Sequence, residues 1–382
     1  MRMKSLLRSL IILSTTLILT LSAVCSDAAG IPTTPGWRQI PNTDLQTQCP
    51  PNNFNNSGYD FFDYCRYVTE AWNGGAFDTK RNRLIIWGGG HANYSGNEIY
   101  ALDLNTLTMQ RLNDPGLPVV TAGQPEAIVN GTQPNSRHTY DGIAYMANID
   151  RLFVYGGSLT YSGYASNGTW TFNFATNKWQ NMNPSGDNPG YDYGDVSAYD
   201  PNSGKVFLHS NHYLFSYNFT ANTWTRLTDN NPIDYHLSAT LDPVRKKFVM
   251  VGAGRVYTYD VSAGSTYART TLVTSGGDAI VSSSYPGLAY DSVRDRIVAW
   301  NGGDTVYSLN LDTGVWASVT YSGGPGTAVP TGTFDRWSYV PTLNAFVLVN
   351  MARQNAYSFR FSSSTPSGAQ GAPAAPSDVR VQ

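Results

Sequence analysis

Histidine, arginine and tyrosine recur in a few glycine-rich stretches of this sequence. His91 lies in the run GGGHANY, and the run RHTY carries Arg137, His138 and Tyr140. An imidazole can take or give a proton near neutral pH, and a guanidinium pairs with a carboxylate or sulfate through two parallel hydrogen bonds. These residue types predict acid–base chemistry beside an anionic group. The predicted catalytic residues are His138, His91, Arg137, Tyr140 and Tyr193.

A second set of polar and aromatic residues lies at corresponding positions along the chain. Tyr and Trp can stack on sugar faces, while Asn, His and Arg can hydrogen-bond to ligand oxygens. The alternative for each residue taken singly is a structural role, in which it only satisfies backbone groups. The predicted substrate-binding residues are Asn93, Tyr94, His236, Tyr285, Arg336 and Trp337.

Cofactor signals are weak. A divalent metal would be bound only if His91, His138 and His236 converge, since no closely spaced His or Cys ligands occur. The three glycines before His91 are not a phosphate loop, because no Lys follows, and the hydrolase motif G-x-S-x-G is absent. The sequence therefore predicts no cofactor, with a structural or catalytic divalent metal as the alternative.

The elements that must position these residues form a repeat. The first unit, from Trp72 to Leu112, contains four short apolar strands separated by turn sequences, which is typical of a four-stranded antiparallel meander. Similar units begin near Arg137, Tyr193, Tyr235, Tyr285 and Arg336. A spacing of roughly 40 to 70 residues is typical of propeller blades with insertions.

The repeat predicts an all-β fold, a six-bladed β-propeller of four-stranded blades. Each sheet has two apolar faces, and radial packing buries both. The last unit lacks a fourth strand, and the segment Trp37–Pro41 can supply it, which would close the ring. A seven-bladed ring is the alternative if residues 42–70 form a degenerate blade. In a propeller, the loop leading into each innermost strand and the loop between the second and third strands share one face, so the candidate residues should meet there.

The units resemble the kelch and galactose-oxidase type of propeller over essentially the whole mature chain. The resemblance rests on glycine pairs after the second strand, Tyr in the third strand and Trp in the fourth: Gly88-Gly89, Gly156-Gly157, Gly302-Gly303, Tyr100, Tyr217, Tyr307, Tyr357, Trp179, Trp224 and Trp316. That family's copper-radical site uses a Tyr cross-linked to a Cys. It is not expected here, because Cys49 and Cys65 precede the repeats.

Composition bounds the location and partners. The 382 residues carry a formal charge of −2 without clustered Lys and Arg, which argues against a nucleic-acid surface. Residues 1–28 read as a signal peptide, which predicts a secreted or periplasmic protein without a membrane span, and we expect a monomer. The propeller should occupy residues 29–361, followed by a Ser/Pro/Gly/Ala-rich linker and stub at 362–382. Cys49 and Cys65 are predicted to form a disulfide, with a free pair or a metal site as alternatives.

Two functions fit this chemistry. The first is a lyase that cleaves an acidic polysaccharide by β-elimination at the channel mouth, as the resemblance to propeller-type ulvan and oligogalacturonate lyases implies. Arg137 or Arg336 would then neutralise the uronate carboxylate, His138 or His91 would be the base, and Tyr193 or Tyr140 the acid. The second is a non-catalytic extracellular propeller that binds glycan or protein.

Overall fold

Six antiparallel sheets make up this protein in a computed structural model that describes residues 31–362. The sheets are blades 1 to 6 in chain order. Written from the innermost strand outwards, blades 1 to 3 are Gly75–Asp78, Arg83–Ile86, Tyr100–Asp103 and Thr108–Arg111; Ile143–Met146, Arg151–Tyr155, Thr169–Asn173 and Lys178–Asn181; Val196–Asp200, Lys205–His209, Leu214–Asn218 and Thr223–Arg226. Blades 4 to 6 are Ser238–Asp242, Lys247–Gly252, Arg255–Asp260 and Arg269–Thr271; Gly287–Asp291, Arg296–Trp300, Thr305–Asn310 and Val315–Thr320; Trp337–Val340, Ala345–Leu348, Tyr357–Arg360 and Gly36–Gln39.

Smaller elements decorate this frame. Blade 3 gains a short parallel strand, Ser185–Gly186, and two small ribbons pair Ala127–Ile128 with Gln133–Pro134 and Arg137–His138 with Ser158–Leu159. The helices are all single turns, and none of those in the described residues is long and apolar enough to cross a membrane. They are Phe61–Tyr64, Tyr67–Glu70 and Asp278–Val281, with 3₁₀ turns at Leu45–Gln48, Phe54–Asn56, Ala147–Ile149 and Phe334–Arg336.

The turn between the first and second strands has a local cause that repeats. In blade 1 the Asp78 carboxylate accepts hydrogen bonds from the backbone N–H groups of Lys80 and Arg81, both at 3.1 Å. Such an Asx turn reverses the chain without help from the rest of the fold. The first strands of blades 3, 4 and 5 end in the same way at Asp200, Asp242 and Asp291.

The blades close into a ring, which confirms the predicted six-bladed propeller. Each innermost strand lies beside that of the next blade, and Gly75–Asp78 of blade 1 also lies beside Trp337–Val340 of blade 6. Apolar side chains fill the spaces between neighbouring blades; Trp87 of blade 1, for example, contacts Trp179 of blade 2 with ring centroids 4.9 Å apart. This radial packing buries both faces of every sheet.

The N-terminal strand pairs with the end of the chain. Gly36–Gln39 runs antiparallel to Tyr357–Arg360, with Trp37 opposite Phe359, as the outer strand of blade 6. The Trp37 ring lies 4.9 Å from that of Phe359 and 5.7 Å from that of Trp337. The segment 42–70 forms short helical turns rather than strands, so the seven-bladed alternative is wrong.

The predicted disulfide is confirmed. Cys49 and Cys65 are bonded, with Cα atoms 6.0 Å apart, and the bridge closes the irregular loop that precedes blade 1. It packs in the same apolar cluster as Phe61 and Tyr94, so it fixes the N-terminal segment against blade 1. The predicted signal peptide and nearly all of the predicted tail lie outside the described residues.

Candidate functional site

An aromatic residue leads into the innermost strand of every blade. It lies three residues before the strand in five blades and two residues before it in blade 5. Because each residue lies so close to its innermost strand, the six are arranged around the ring. Backbone hydrogen bonds join neighbouring blades here: Tyr140 N–H donates to the carbonyl of Trp72 at 2.7 Å, and Tyr285 N–H donates to that of His236 at 2.8 Å. The six are Trp72, Tyr140, Tyr193, Tyr235, Tyr285 and Phe334.

Four of these aromatic residues adopt left-handed backbone. The φ angles are 48° at Trp72, 48° at Tyr140, 53° at Tyr285 and 48° at Phe334. A bulky residue at positive φ costs about 1–3 kcal/mol and persists only where its surroundings fix it, which is common at binding sites.

A cavity of about 400 Å³ opens at this mouth. Leading-loop residues of blades 1 to 4 line one part of it, and loops between second and third strands line the rest, as the sequence predicted for this face. No Lys or Arg is among the lining residues. They are Trp72, His91, His138, Tyr140, Ser158, Gly163, Tyr193, Asn211 and Tyr235.

His91 and His138 meet in this cavity. Their ring centroids lie 5.8 Å apart, edge to face, and the ring of Trp72 lies 5.3 Å from that of His138. The approach requires glycine: a Cβ on Gly90 would lie 2.1 Å from the His138 backbone nitrogen, and one on Gly163 would lie 2.5 Å from the His91 ring. The run of glycines before His91 therefore lets the blade 1 loop touch blade 2.

His138 is buried and neutral, whereas His91 is exposed. The Nε2 atom of His138 lies 2.8 Å from Asn93 Oδ1, so with that amide oxygen as acceptor Nε2 carries the proton and Nδ1 has a free electron pair. Burial and the neighbouring His91 lower the pKa of His138 to about 3. His138 is thus an uncharged hydrogen-bonding group at neutral pH.

The predicted tyrosines lie at the same mouth but differ in exposure. Tyr193 is 40% exposed and donates from its hydroxyl to the Gly163 carbonyl at 2.9 Å. Tyr140 is partly buried, and burial followed by the neighbouring Tyr193 and Tyr235 raises its pKa above the ordinary value, so it keeps its proton. Tyr285 is buried against Phe334, 5.2 Å between centroids, and does not line the cavity.

His236 lies beside this mouth rather than in the cavity wall. Its ring stacks on Tyr235 at 4.0 Å and lies 5.0 Å from Tyr285, and its Nδ1 pairs with Asp234 at 2.5 Å. The three candidate metal ligands therefore divide into a pair and a separate residue. Among residues 31–362, no group of three or more His, Cys, Asp or Glu is arranged to hold a metal ion.

The two predicted arginines are fully buried and bonded to the protein. Arg137 uses all five of its N–H groups, donating to Ser166 Oγ, Glu126 Oε1 and the carbonyls of Asn135, Gly156 and Glu126. Arg336 donates to the carbonyls of Asn73, Gly332, Val349 and Asn350. Neither guanidinium offers the paired donors that a ligand carboxylate needs.

Two other predicted binding residues lie in the core. Trp337 is fully buried, stacks on Phe346 at 4.8 Å and donates from Nε1 to the Val298 carbonyl. Tyr94 is 1% exposed, and its hydroxyl bonds to the buried Glu98 carboxylate. In both cases the side chain packs between or beneath sheets, away from the cavity.

Five cavity residues were not among the predicted site residues: Trp72, Ser158, Gly163, Asn211 and Tyr235. Trp72 carries a detectable signal, because it precedes the first innermost strand by the same distance that separates Tyr140 from the second. Ser158 and Asn211 carry none, because small polar loop residues are common. Asn211 contributes a feature of chemical interest: its Oδ1 atom is buried and has no hydrogen-bond partner among the described residues.

The opposite end of the channel has a different character. A cavity of about 380 Å³ there is lined by the last residues of the innermost strands, including Phe77, Tyr145 and Tyr290, and by Asp335. Between the two ends lies Asp141, which is fully buried and accepts from the Ala239 N–H of blade 4 at 2.6 Å. Burial raises its pKa to about 8, and burial together with the Asp141 charge raises the pKa of Asp335.

Comparison with known proteins assigns no family to this chain. No protein-family model and no curated protein sequence matches this chain. Among solved structures, a chain from the crystal structure of a nidogen/laminin complex aligns with a TM-score of 0.44 and 11% sequence identity, covering 66% of this chain and 81% of that chain. This likeness carries nothing about a ligand or partner of the present protein.

Proposed function

We propose that this protein is an extracellular carbohydrate-binding propeller whose central cavity holds a sugar residue. The observation that carries the proposal is the cavity wall itself. Trp72, Tyr193 and Tyr235 offer partly exposed rings on which a sugar face can stack. The buried disulfide is in keeping with an extracellular location.

The polar groups of the wall suit sugar hydroxyls better than carboxylates. Asn211 Oδ1 is a buried acceptor without a partner, and such an atom gains most from a donor such as an O–H. His138 is neutral, and with Nε2 bonded to Asn93 it presents a second acceptor at Nδ1. A carboxylate has no proton to donate and would meet no Lys or Arg in the wall.

We expect Trp72→Ala to weaken glycan binding by about tenfold, because an aromatic stack contributes on the order of 1 kcal/mol. The measurement is retention of the protein on an array of neutral and acidic glycans, followed by titration calorimetry of the retained sugars. Trp72→Phe keeps a ring and should lose less, while Tyr64→Ala removes an exposed ring away from the cavity and should lose nothing. Unchanged binding by Trp72→Ala, or no retained glycan at all, contradicts the proposal.

A second candidate function is eliminative cleavage of a uronate polymer, favoured by the two histidines beside Tyr140. In that reaction a base removes the proton at C5 of the uronate, the bond from C4 to the leaving oxygen breaks, and an acid protonates that oxygen. His138 Nδ1 can be the base, and Tyr140, whose raised pKa keeps it protonated, the acid. A pKa of about 3 makes His138 a weak base, although an adjacent carboxylate would raise that pKa. With both arginines bonded internally, exposed His91 is the group left to neutralise the carboxylate.

Catalysis predicts a rise in ultraviolet absorbance when the protein is incubated with uronate polymers, because elimination leaves an unsaturated product. His138→Gln should reduce this rate by a factor of at least about 100, the usual contribution of a positioned base. Glycan retention by the same variant separates loss of chemistry from loss of binding. If absorbance does not rise with any uronate polymer while glycan binding is retained, the result contradicts the lyase and supports the binding function.

A further inference from the structure

A second depression adjoins the central cavity. It has a volume of about 550 Å³ and is lined by Gln124, Glu126, Leu159, Tyr164, Ala165, Asn167, Tyr191 and Tyr193. We call it the outer groove. Tyr193 belongs to both walls, and its hydroxyl bond to the Gly163 carbonyl makes its ring the ridge between them. A ligand that leaves the cavity over this ridge enters the groove directly.

Aromatic rings are exposed along this path to an unusual degree. Tyr164 is 60% exposed and Tyr191 is 73% exposed, although a Tyr ring is normally at least half covered. Among the described residues, seven aromatic side chains are exposed, and four of these, Tyr164, Tyr191, Tyr193 and Tyr235, line the groove or the cavity. Clustering of exposed apolar rings in one place indicates an interaction surface.

The polar floor of the groove repeats the chemistry of the cavity. Gln124 Oε1 is buried without a hydrogen-bond partner, as Asn211 Oδ1 is in the cavity. The carboxylate of Glu126 is already bonded to Arg137, Ser166 and Trp170, at 3.1, 2.6 and 2.8 Å, so it presents no free charge. No Lys or Arg lines the groove. A wall that holds both exposed rings and uncharged polar groups suits the apolar faces and hydroxyls of a sugar chain.

We infer that the outer groove is a second sugar subsite, occupied by the units that neighbour the cavity-bound sugar in the same glycan chain. This inference rests on the proposed glycan binding and extends it to the class of ligand, an oligosaccharide or polysaccharide rather than a single sugar. Arg137 connects the two subsites from below, since it bonds to Glu126 under the groove while His138 next to it lines the cavity.

The test is a length series. Cello-oligosaccharides, xylo-oligosaccharides and galacturonate oligomers, each from disaccharide to hexasaccharide, are titrated into the protein by calorimetry. For at least one series the affinity should rise about tenfold or more between the disaccharide and the tetrasaccharide, because a further aromatic stack is engaged. In the double variant Tyr164→Ala/Tyr191→Ala the ratio of these two affinities should fall to about one. Tyr64→Ala, an exposed ring elsewhere, should keep the ratio.

The outcomes separate the inference from the proposal beneath it. The second subsite is overturned if the wild type binds all lengths with equal affinity, or if the length dependence survives in the double variant. In either case, loss of binding in Trp72→Ala still supports the cavity as a sugar site. No binding of any series to the wild type overturns both. Circular dichroism of each variant shows whether the fold is intact, and these exposed side chains have few contacts to lose.

Discussion

Replacing Asp141 by Asn should raise the free energy of unfolding at pH 9 by about 3–5 kcal/mol and leave it nearly unchanged at pH 4. Asp141 is fully buried, and its pKa is raised to about 8 in the folded protein, against about 3.9 in an unfolded chain. The unfolded state therefore gives up this proton first. Stability from the neutral carboxyl is complete below about pH 4 and is lost progressively as the pH rises to about 8.

The Asn variant stays neutral across this range and keeps an oxygen to accept from the Ala239 N–H. Urea denaturation of wild type and variant at several pH values measures the difference, in which titrating groups cancel except Asp335, whose pKa is raised by burial and by the Asp141 charge. Asp141→Ala is the control, because it removes the acceptor and should destabilise at every pH. A difference between wild type and Asn variant that does not change with pH would show that Asp141 ionises normally.

Arg336→Met should lower the free energy of unfolding by about 3–5 kcal/mol. The Arg336 guanidinium lies between blades 6 and 1, where it donates to the Asn73 carbonyl of blade 1 at 2.9 Å and to three carbonyls in the loops of blade 6. Methionine fills a similar volume without donors, so four buried carbonyls lose their partner. Burial lowers the pKa of Arg336 to about 9, which still leaves it charged at neutral pH.

Two controls bracket this result. Arg336→Lys keeps a charge and three donors but not the planar fork, and it should lose an intermediate amount. Arg255→Met changes an exposed arginine and should stay within about 0.5 kcal/mol of the wild type. If the Met variant at position 336 is as stable as the one at position 255, Arg336 does not hold the two blades together.

The fold was predictable because its determinants are local and repeated. Short apolar strands and Asx turns at residues such as Asp78 occur in most units, and glycine pairs follow the second strand in three of them, so a single unit predicts the others. The proximity of His91 and His138 was predictable for the same reason. One lies between a second and a third strand and the other before an innermost strand, and a propeller brings both kinds of loop to one face. Residues 42–70 form no blade because their asparagine-rich segment is fixed instead by a disulfide and short helical turns.

Side-chain direction was the part that the sequence could not supply. All four residues of the strand that Trp337 begins are buried, so whether this residue belongs to the leading loop or to the strand decides whether its ring meets solvent or Phe346. Arg137 and Arg336 read as ligand-binding arginines because their partners are mainly backbone carbonyls, which have no sequence signature. Tyr94 is covered by Phe61, which lies before the first repeat, so the repeat pattern gives no sign of this contact.

The pairing of Gly36–Gln39 with Tyr357–Arg360 bears on the order in which the molecule assembles. Five sheets draw all four principal strands from one continuous stretch of chain, so each can form as soon as that stretch exists. The sixth must wait until segments more than 300 residues apart meet, and contacts of such long range slow folding. While the chain is being made, Gly36–Gln39 therefore waits without its partner strand, the state in which exchange of this strand between two chains is easiest.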